Sequence, residues 1–201
     1  MWVGFMKIIA FTGAGISKSA GIPTFLDTPG AKEKFSVEYR KANPVDFYEE
    51  KLKRVKMFDG KEPTKAHKAL AELPIPIITM NIDCLHSKAG SRLVYELHGN
   101  YIDDNIVLYG ENILHGEDAL TLVIQTGRQA QFDGEEAIFL VIGTSMQTAF
   151  AHVLVRVAEE YGMKVHYIND NADEEVPKFL REHVILHMKR TSDRTTFASV
   201  L

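Results

Sequence analysis

The chain has 201 residues, 45% of them hydrophobic and 25% charged, a balance that suits one globular domain spanning 1–201. Its formal net charge of −4 lacks the basic footprint of a nucleic-acid binder, and no apolar run approaches the roughly 20 residues that cross a bilayer. A single cysteine, Cys84, excludes an intrachain disulfide and a cysteine-built zinc site, so we expect a cytoplasmic protein with neither nucleic acid nor membrane as partner.

Near the start, Ile8, Ile9, Ala10 and Phe11 run into Thr12-Gly13-Ala14-Gly15, and a short segment closes at Gly21-Ile22-Pro23. The pattern predicts a strand, a glycine turn and a helix starting near Ser17. Gly13 and Gly15 lack the Cβ atoms that would hold a pyrophosphate off the backbone, and a helix N-terminus supplies N–H donors. The interval from Gly15 to Gly21 is too long for the dinucleotide fingerprint GxGxxG, so on the glycines alone a tight loop is an equal reading.

The charged stretch from Ala31 to Asp59 carries Phe35, Tyr39, Phe47, Tyr48 and Leu52 as an apolar stripe. It predicts two or three short helices whose aromatics pack in a core, within an insertion over 27–73. Pro63-Thr64 then opens an amphipathic helix through Ala66, Ala69, Leu70 and Leu73, ended by Pro74.

Five β-rich apolar runs recur: Lys7–Phe11, Ile75–Thr79, Ile106–Tyr109, Ala137–Ile142 and Lys164–Ile168. Near-continuous hydrophobicity predicts strands covered on both faces, hence an α/β fold with a parallel sheet. Several runs end in polar or glycine signals, at the carboxyl ends where such sheets bind ligands. Asp118–Gln131 reads as strand by Leu122, Val123 and Ile124, and as helix by its length. Phe150, Val153, Leu154, Val157, Ala158 and Tyr161 follow helical spacing, with Gly162 as the stop.

Eight strings occur in one order: TGAGIS (12–17), GIPTF (21–25), PTKAHKALAEL (63–73), TMNIDCLHSKAGS (79–91), ELHGN (96–100), LYGE (108–111), GTSM (143–146) and YIN (167–169). Together they resemble the sirtuin family of NAD-dependent protein deacylases. The resemblance runs to about residue 170. It implies a doubly wound Rossmann-like parallel sheet with a reduced helical insertion, NAD as cofactor, and an acylated lysine peptide or protein as partner.

Site residues follow from the same resemblance. Asn81 and Asp83 would hold the nicotinamide ribose and carboxamide, with Ile82 between them; read alone, the pair suits a helix cap equally. His98 would be the general base and Asn81 its catalytic companion, since an imidazole titrating near pH 6.5 accepts a proton at neutral pH. Gly13, Ala14 and Gly15 would line the phosphates, and Phe25 would lie across the nicotinamide pocket. Gly143, Thr144, Ser145 and Asn169 would face phosphate and ribose. Tyr109, Gly110 and Glu111 would pair with an extended acyl-peptide. His67 and His86 are expected to pack within their helices.

Departures from the family pattern are equally specific. Sirtuins carry four zinc-binding cysteines between the histidine–glycine motif and the glycine–glutamate segment; here only residues 99–109 separate His98 from Gly110, and no metal site is expected. The consequence is either a cleft missing one wall or one completed by another subunit of a homo-oligomer. Thr24-Phe25-Leu26 stands where the family has Asp-Phe-Arg, Met80 replaces a glutamine, and Ala149-Phe150 replaces a segment that often holds proline. Three functions fit: a deacylase releasing nicotinamide and O-acyl-ADP-ribose, an NAD glycohydrolase or ADP-ribosyltransferase, and a catalytically weak NAD- or ADP-ribose-binding module.

Overall fold

A computed structural model describes residues 7–24 and 27–183. Five strands form one parallel sheet: β1 (Lys7–Thr12), β2 (Ile77–Thr79), β3 (Val94–Glu96), β4 (Ala137–Ile142) and β5 (Lys164–Ile168), in spatial order β3-β2-β1-β4-β5. The chain therefore builds outward from β1 in one direction and then crosses to its other side. That reversal opens a crevice beyond the carboxyl ends of β1 and β4, where doubly wound sheets bind ligands.

Strand chemistry explains the layering. Successive side chains of β1 and β4 alternate in direction, yet both faces are apolar. Ile8 and Ala10, with Ile138, Leu140 and Ile142, pack on α4 (Lys65–Ala71) and on a helical stretch over 172–183. Ile9, Phe11, Phe139 and Val141 face α6 (Gly116–Asp133) and α7 (Ala149–Glu160) on the other side. Rings of Phe11 and Phe139 stack there at 5.9 Å between centroids. Thr64 caps α4 and Thr148 caps α7, each accepting from a backbone N–H three residues on.

Between β1 and β2 lie α1 (Ala31–Lys34), α2 (Val37–Ala42), α3 (Pro44–Lys56) and α4; α5 (Leu85–Ala89) links β2 to β3. The predicted aromatic stripe is only half a core. Phe35 and Phe47 pack on Leu108, but Tyr48 and Leu52 are 57% and 60% exposed, because α3 has a narrow buried face that ends in Phe47 and Arg54.

Three other expectations change. Ile106–Tyr109 is not a strand of the sheet; its apolar residues serve the Phe35–Phe47 cluster and the crevice, and the fifth strand is the half-buried Val94–Glu96. The helix expected near Ser17 starts at Ala14 and is a 3-10 helix to Ala20, ended by Gly21 at φ 75°. Asp118–Gln131 lies wholly within α6, so length outweighs its β-branched residues.

Candidate active site

A cavity of about 680 Å³ sits in the crevice, within the roughly 300–1,000 Å³ usual for small-molecule sites. Its floor is the glycine turn after β1. The glycines there act differently from expectation. Gly13 N–H donates to Ile142 O and Gly15 N–H to Gly143 O, so these two amides are not available to a phosphate. A Cβ on Gly15 would lie 2.6 Å from Gly143 Cα, and one on Gly143, itself at φ 59°, would lie 2.4 Å from Ile16 N. Gly13, Gly15 and Gly143 thus let the turns after β1 and β4 touch, which closes the floor. Ala14, first residue of the 3-10 helix, keeps an N–H with no carbonyl to meet inside that helix.

Asn81 and Asp83, just past β2, are buried in the cavity wall at 8% and 5% exposure. The pair lines the cavity, and Asp83 also meets the start of α5, whose N-cap residue is Cys84. Asp83 Oδ1 accepts the Leu85 N–H at 3.0 Å at the start of α5, while Oδ2 accepts from Ser17 Oγ at 2.6 Å and Asn81 Nδ2 at 3.2 Å. Ser17 was not singled out from the sequence, although it closes the same TGAGIS string. Ile82 also lines the cavity, and its carbonyl accepts from Tyr101 N–H at 3.1 Å.

Beneath this wall lies a buried polar cluster. Thr12 Oγ1 hydrogen-bonds Thr79 Oγ1 at 2.8 Å and His86 Nε2 at 2.9 Å. His67 Nδ1 meets Thr64 Oγ1 at 2.8 Å, and the two imidazole rings lie 4.6 Å apart. His67 Nε2 and His86 Nδ1 have no hydrogen-bond partner among the described residues. Burial drives both rings below their ordinary pKa, His67 to about 4, with the neighbouring ring adding to the fall for His86. His67 thus bonds the cap of its own helix, as expected, whereas His86 reaches out of its helix to Thr12 of β1.

His98 also borders the cavity, and burial lowers its pKa below the ordinary value. Its position depends on the short connection that follows. Gly99, at φ 66°, lets Asn105 O come within 2.2 Å of where a Cβ would sit. Asn100 Oδ1 accepts the N–H groups of Ile102 and Asp103, its Nδ2 donates to Glu96 and Asp103, and Asn105 Oδ1 takes the Asn100 N–H. Val107 N–H then returns to His98 O at 3.0 Å. Two asparagines therefore fold the tight turn that follows His98. Among the described residues no group of three His, Cys, Asp or Glu is placed to hold a metal, and the chain's one cysteine cannot supply a thiolate set.

Gly143, Thr144, Ser145 and Asn169 border the cavity at the ends of β4 and β5, with Thr144 N–H donating to Asn169 Oδ1 at 3.2 Å. Tyr109, Gly110 and Glu111 border it as well. Tyr109 is not open for backbone pairing, however: its N–H donates to Phe35 O and its carbonyl accepts from Val37 N–H. Glu111 is held by Arg40 at 3.1 Å and by the Leu108 N–H at 2.9 Å. Met80 lines the cavity, and its sulfur accepts from Thr148 Oγ1 at 3.6 Å. Phe25 and Leu26 lie outside the described residues. Gln147 and Arg54 line the cavity without having been singled out. For Arg54 one signal existed: it stands seven residues after Phe47, on the same face of α3.

Comparison with known proteins points the same way. Residues 13–105 match the model of the Sir2 family. An NAD-dependent protein deacetylase of Caldivirga maquilingensis is 46% identical over 103 residues, 46% of this chain and 40% of that protein. An NAD-dependent protein deacylase of Thermococcus sibiricus is 43% identical over 105 residues, 46% of this chain and 41% of the relative. The chain thus spans about two fifths of the length of the curated relatives it matches. A mutant Sir2 homologue in complex with ADP-ribose shares the fold, with a TM-score of 0.75 and 23% identity over 91% of this chain and 93% of that one. A Sir2–p53 peptide–NAD+ structure gives 0.72 and 26% identity over 89% and 94%.

Proposed function

We propose that the chain is a Sir2-family NAD-dependent protein-lysine deacylase that releases nicotinamide and O-acyl-ADP-ribose, a reading supported by the match over residues 13–105 and by the shared fold. The observation that carries the reading is the convergence of Asn81, Asp83 and His98, from the segments after β2 and β3, on one cavity floored by the Gly13–Gly15 turn. NAD would supply an activated glycosidic carbon whose nicotinamide departs when the acyl oxygen of the substrate attacks. The chain's own residues do the rest.

Asp83, fixed by Ser17 and the Leu85 N–H, would accept from the carboxamide and orient the nicotinamide ring. Asn81, held by Thr79 Oγ1 through its own N–H at 3.0 Å, would present its side-chain amide to the adjacent ribose. Ala14 N–H, Ser145 and Asn169 would meet phosphate and the second ribose. His98 is suited to take a ribose hydroxyl proton, because burial keeps its imidazole neutral at physiological pH. Tyr109, Gly110 and Glu111 would bound the acyl-lysine entrance through side chains and the Gly110 backbone.

Nicotinamide release, followed with NAD alone and with an acyl-lysine peptide, tests this reading. A deacylase gives release that depends on the peptide and on His98. One observation favours a second reading: the 99–105 turn stands where the family has its zinc module, so water could reach the cavity more easily. A glycohydrolase would release ADP-ribose without any peptide.

A further inference from the structure

Helix α3 buries one side and carries an apolar row on the other. Val45 is 73% exposed, Tyr48 and Leu52 are more than half exposed, and half-buried Val55 continues the row. Spacings of three, four and three residues put all four on one face of the helix, opposite the buried Phe47 and Arg54. The Tyr48 ring leans on Phe47 at 5.4 Å between centroids, which fixes its place in the row.

The turn after His98 widens this surface. Lys51, three residues beyond Tyr48 on the same flank of α3, bonds Asp104, and the Tyr101 ring packs on Phe58 at 5.1 Å. Ile102, 67% exposed, is thereby carried to the Tyr48 side of the row. A single exposed apolar residue is ordinary, whereas a contiguous apolar surface marks a contact. Phe132 is the ordinary case, the one large exposed apolar residue on α6.

The charges of α3 indicate what covers the row. Asp46, Glu49 and Glu50 lie in its first half, and Lys51, Lys53 and Lys56 in its second. Two α3 helices laid antiparallel set an acidic half against a basic half at both ends, whereas a parallel pair sets like against like. Several of these groups already have partners within the chain: Asp46 with Tyr39, Glu50 with Lys34 and Lys53, and Lys51 with Asp104. Glu49 and Lys56 are both exposed and make no ion pair among the described residues. They flank Leu52, three residues before it and four after, on the face that carries the row.

We propose that this face joins two copies of the chain as an antiparallel pair of α3 helices. Leu52 of each copy packs on Leu52 and Val55 of the other, and Glu49 of each faces Lys56 of the other. The two-fold axis makes each charge pair occur twice. This pairing is independent of any reading of the cavity, which the buried side of α3 borders through Arg54. With 13 residues, α3 is about 20 Å long. One helix and one turn give an interface at the low end of specific contacts, about 1,000 Å² in total, so the dimer should form at micromolar concentration.

The test is sedimentation velocity of the full chain from about 1 to 200 μM. A monomer–dimer equilibrium is expected. Leu52→Glu should weaken it roughly tenfold or more, since it buries a charge at the centre of the contact. Glu49→Lys and Lys56→Glu should each weaken it roughly three- to thirtyfold, because each places like charges together twice. The double variant Glu49→Lys with Lys56→Glu exchanges the two signs and should return to within about threefold of the wild type. An equimolar mixture of the two single variants should associate more tightly than either alone. Phe132→Ser is the control and should leave the equilibrium unchanged. All five side chains are exposed, and unchanged thermal melts show that no variant acts through unfolding. A chain that stays monomeric throughout, a dimer that survives Leu52→Glu, or charge reversals that the double variant does not repair would each overturn the proposal.

Discussion

Ser17 donates its hydroxyl hydrogen to Asp83 Oδ2 at 2.6 Å, joining the first turn of the chain to the segment after β2 across the cavity floor. Neither residue is near the other in sequence, and the bond ties the phosphate end of the site to the proposed nicotinamide end. Ser17→Ala removes the donor but leaves Asn81 Nδ2 and the Leu85 N–H on the carboxylate. The expected outcome is a stability loss of about 1 kcal/mol and a drop in kcat of roughly tenfold or more, since the carboxylate loses its fixed orientation. Asp83→Ala should cost more on both counts, because it also strips the N–H at the start of α5. Thermal melts and nicotinamide-release rates check both variants.

Gly143 packs directly on the backbone of Gly15 and Ile16. A side chain there needs both a left-handed φ of 59° and space already held by Ile16 N at 2.4 Å. Gly143→Ala should cost roughly 2–4 kcal/mol and lower Tm by roughly 5–15 °C. Gly134→Ala, at φ 64° with nothing within 4 Å, is the control and should lose only the smaller backbone term.

The pH dependence of turnover follows from His98. Its pKa lies below the ordinary histidine value because burial disfavours the imidazolium. The base form therefore persists as pH falls, and kcat/KM should decline at a lower pH than the titration of an ordinary histidine would give. His98→Ala should lower kcat by roughly 10²–10⁴-fold. A rate profile at saturating NAD measures the first, and single-turnover assays the second.

Acid stability tests the neutral pair His67 and His86. In the unfolded chain both rings gain protons as pH falls through about 6.5, whereas His67 in the folded protein resists down to about 4. The unfolded state thus binds more protons across that window, so stability is full above pH 6.5 and is lost as pH falls toward 4. The loss should be on the order of 1–3 kcal/mol by pH 5, read as a lower urea midpoint. Imidazole resonances of the two rings should not titrate between pH 7.5 and 5.

Much of the architecture was legible because both faces of β1 and β4 are buried, which leaves long apolar runs with polar ends at Thr12 and Gly143. Val94–Glu96 was hidden: three half-buried residues give neither a run nor an alternation, and the more apolar Ile106–Tyr109 resembled a strand because it lines a cavity. The family strings brought forward Asn81, Asp83 and His98, which share one cavity. What sequence could not yield was the division of labour among the glycines, since Gly13 and Gly15 meet Gly143 only in the folded chain. Arg54 was hidden for another reason. A charged residue on a lysine-rich helix looks like solvated surface until packing carries it inside.

The most direct measurement is product analysis after incubation with NAD and an acyl-lysine peptide, by mass spectrometry, for the wild type and His98→Ala. The account predicts deacylated peptide, nicotinamide and O-acyl-ADP-ribose in equal amounts from the wild type, and loss of all three in the variant. Free ADP-ribose formed at the same rate without peptide, or an acyl group that never leaves the lysine, would contradict it.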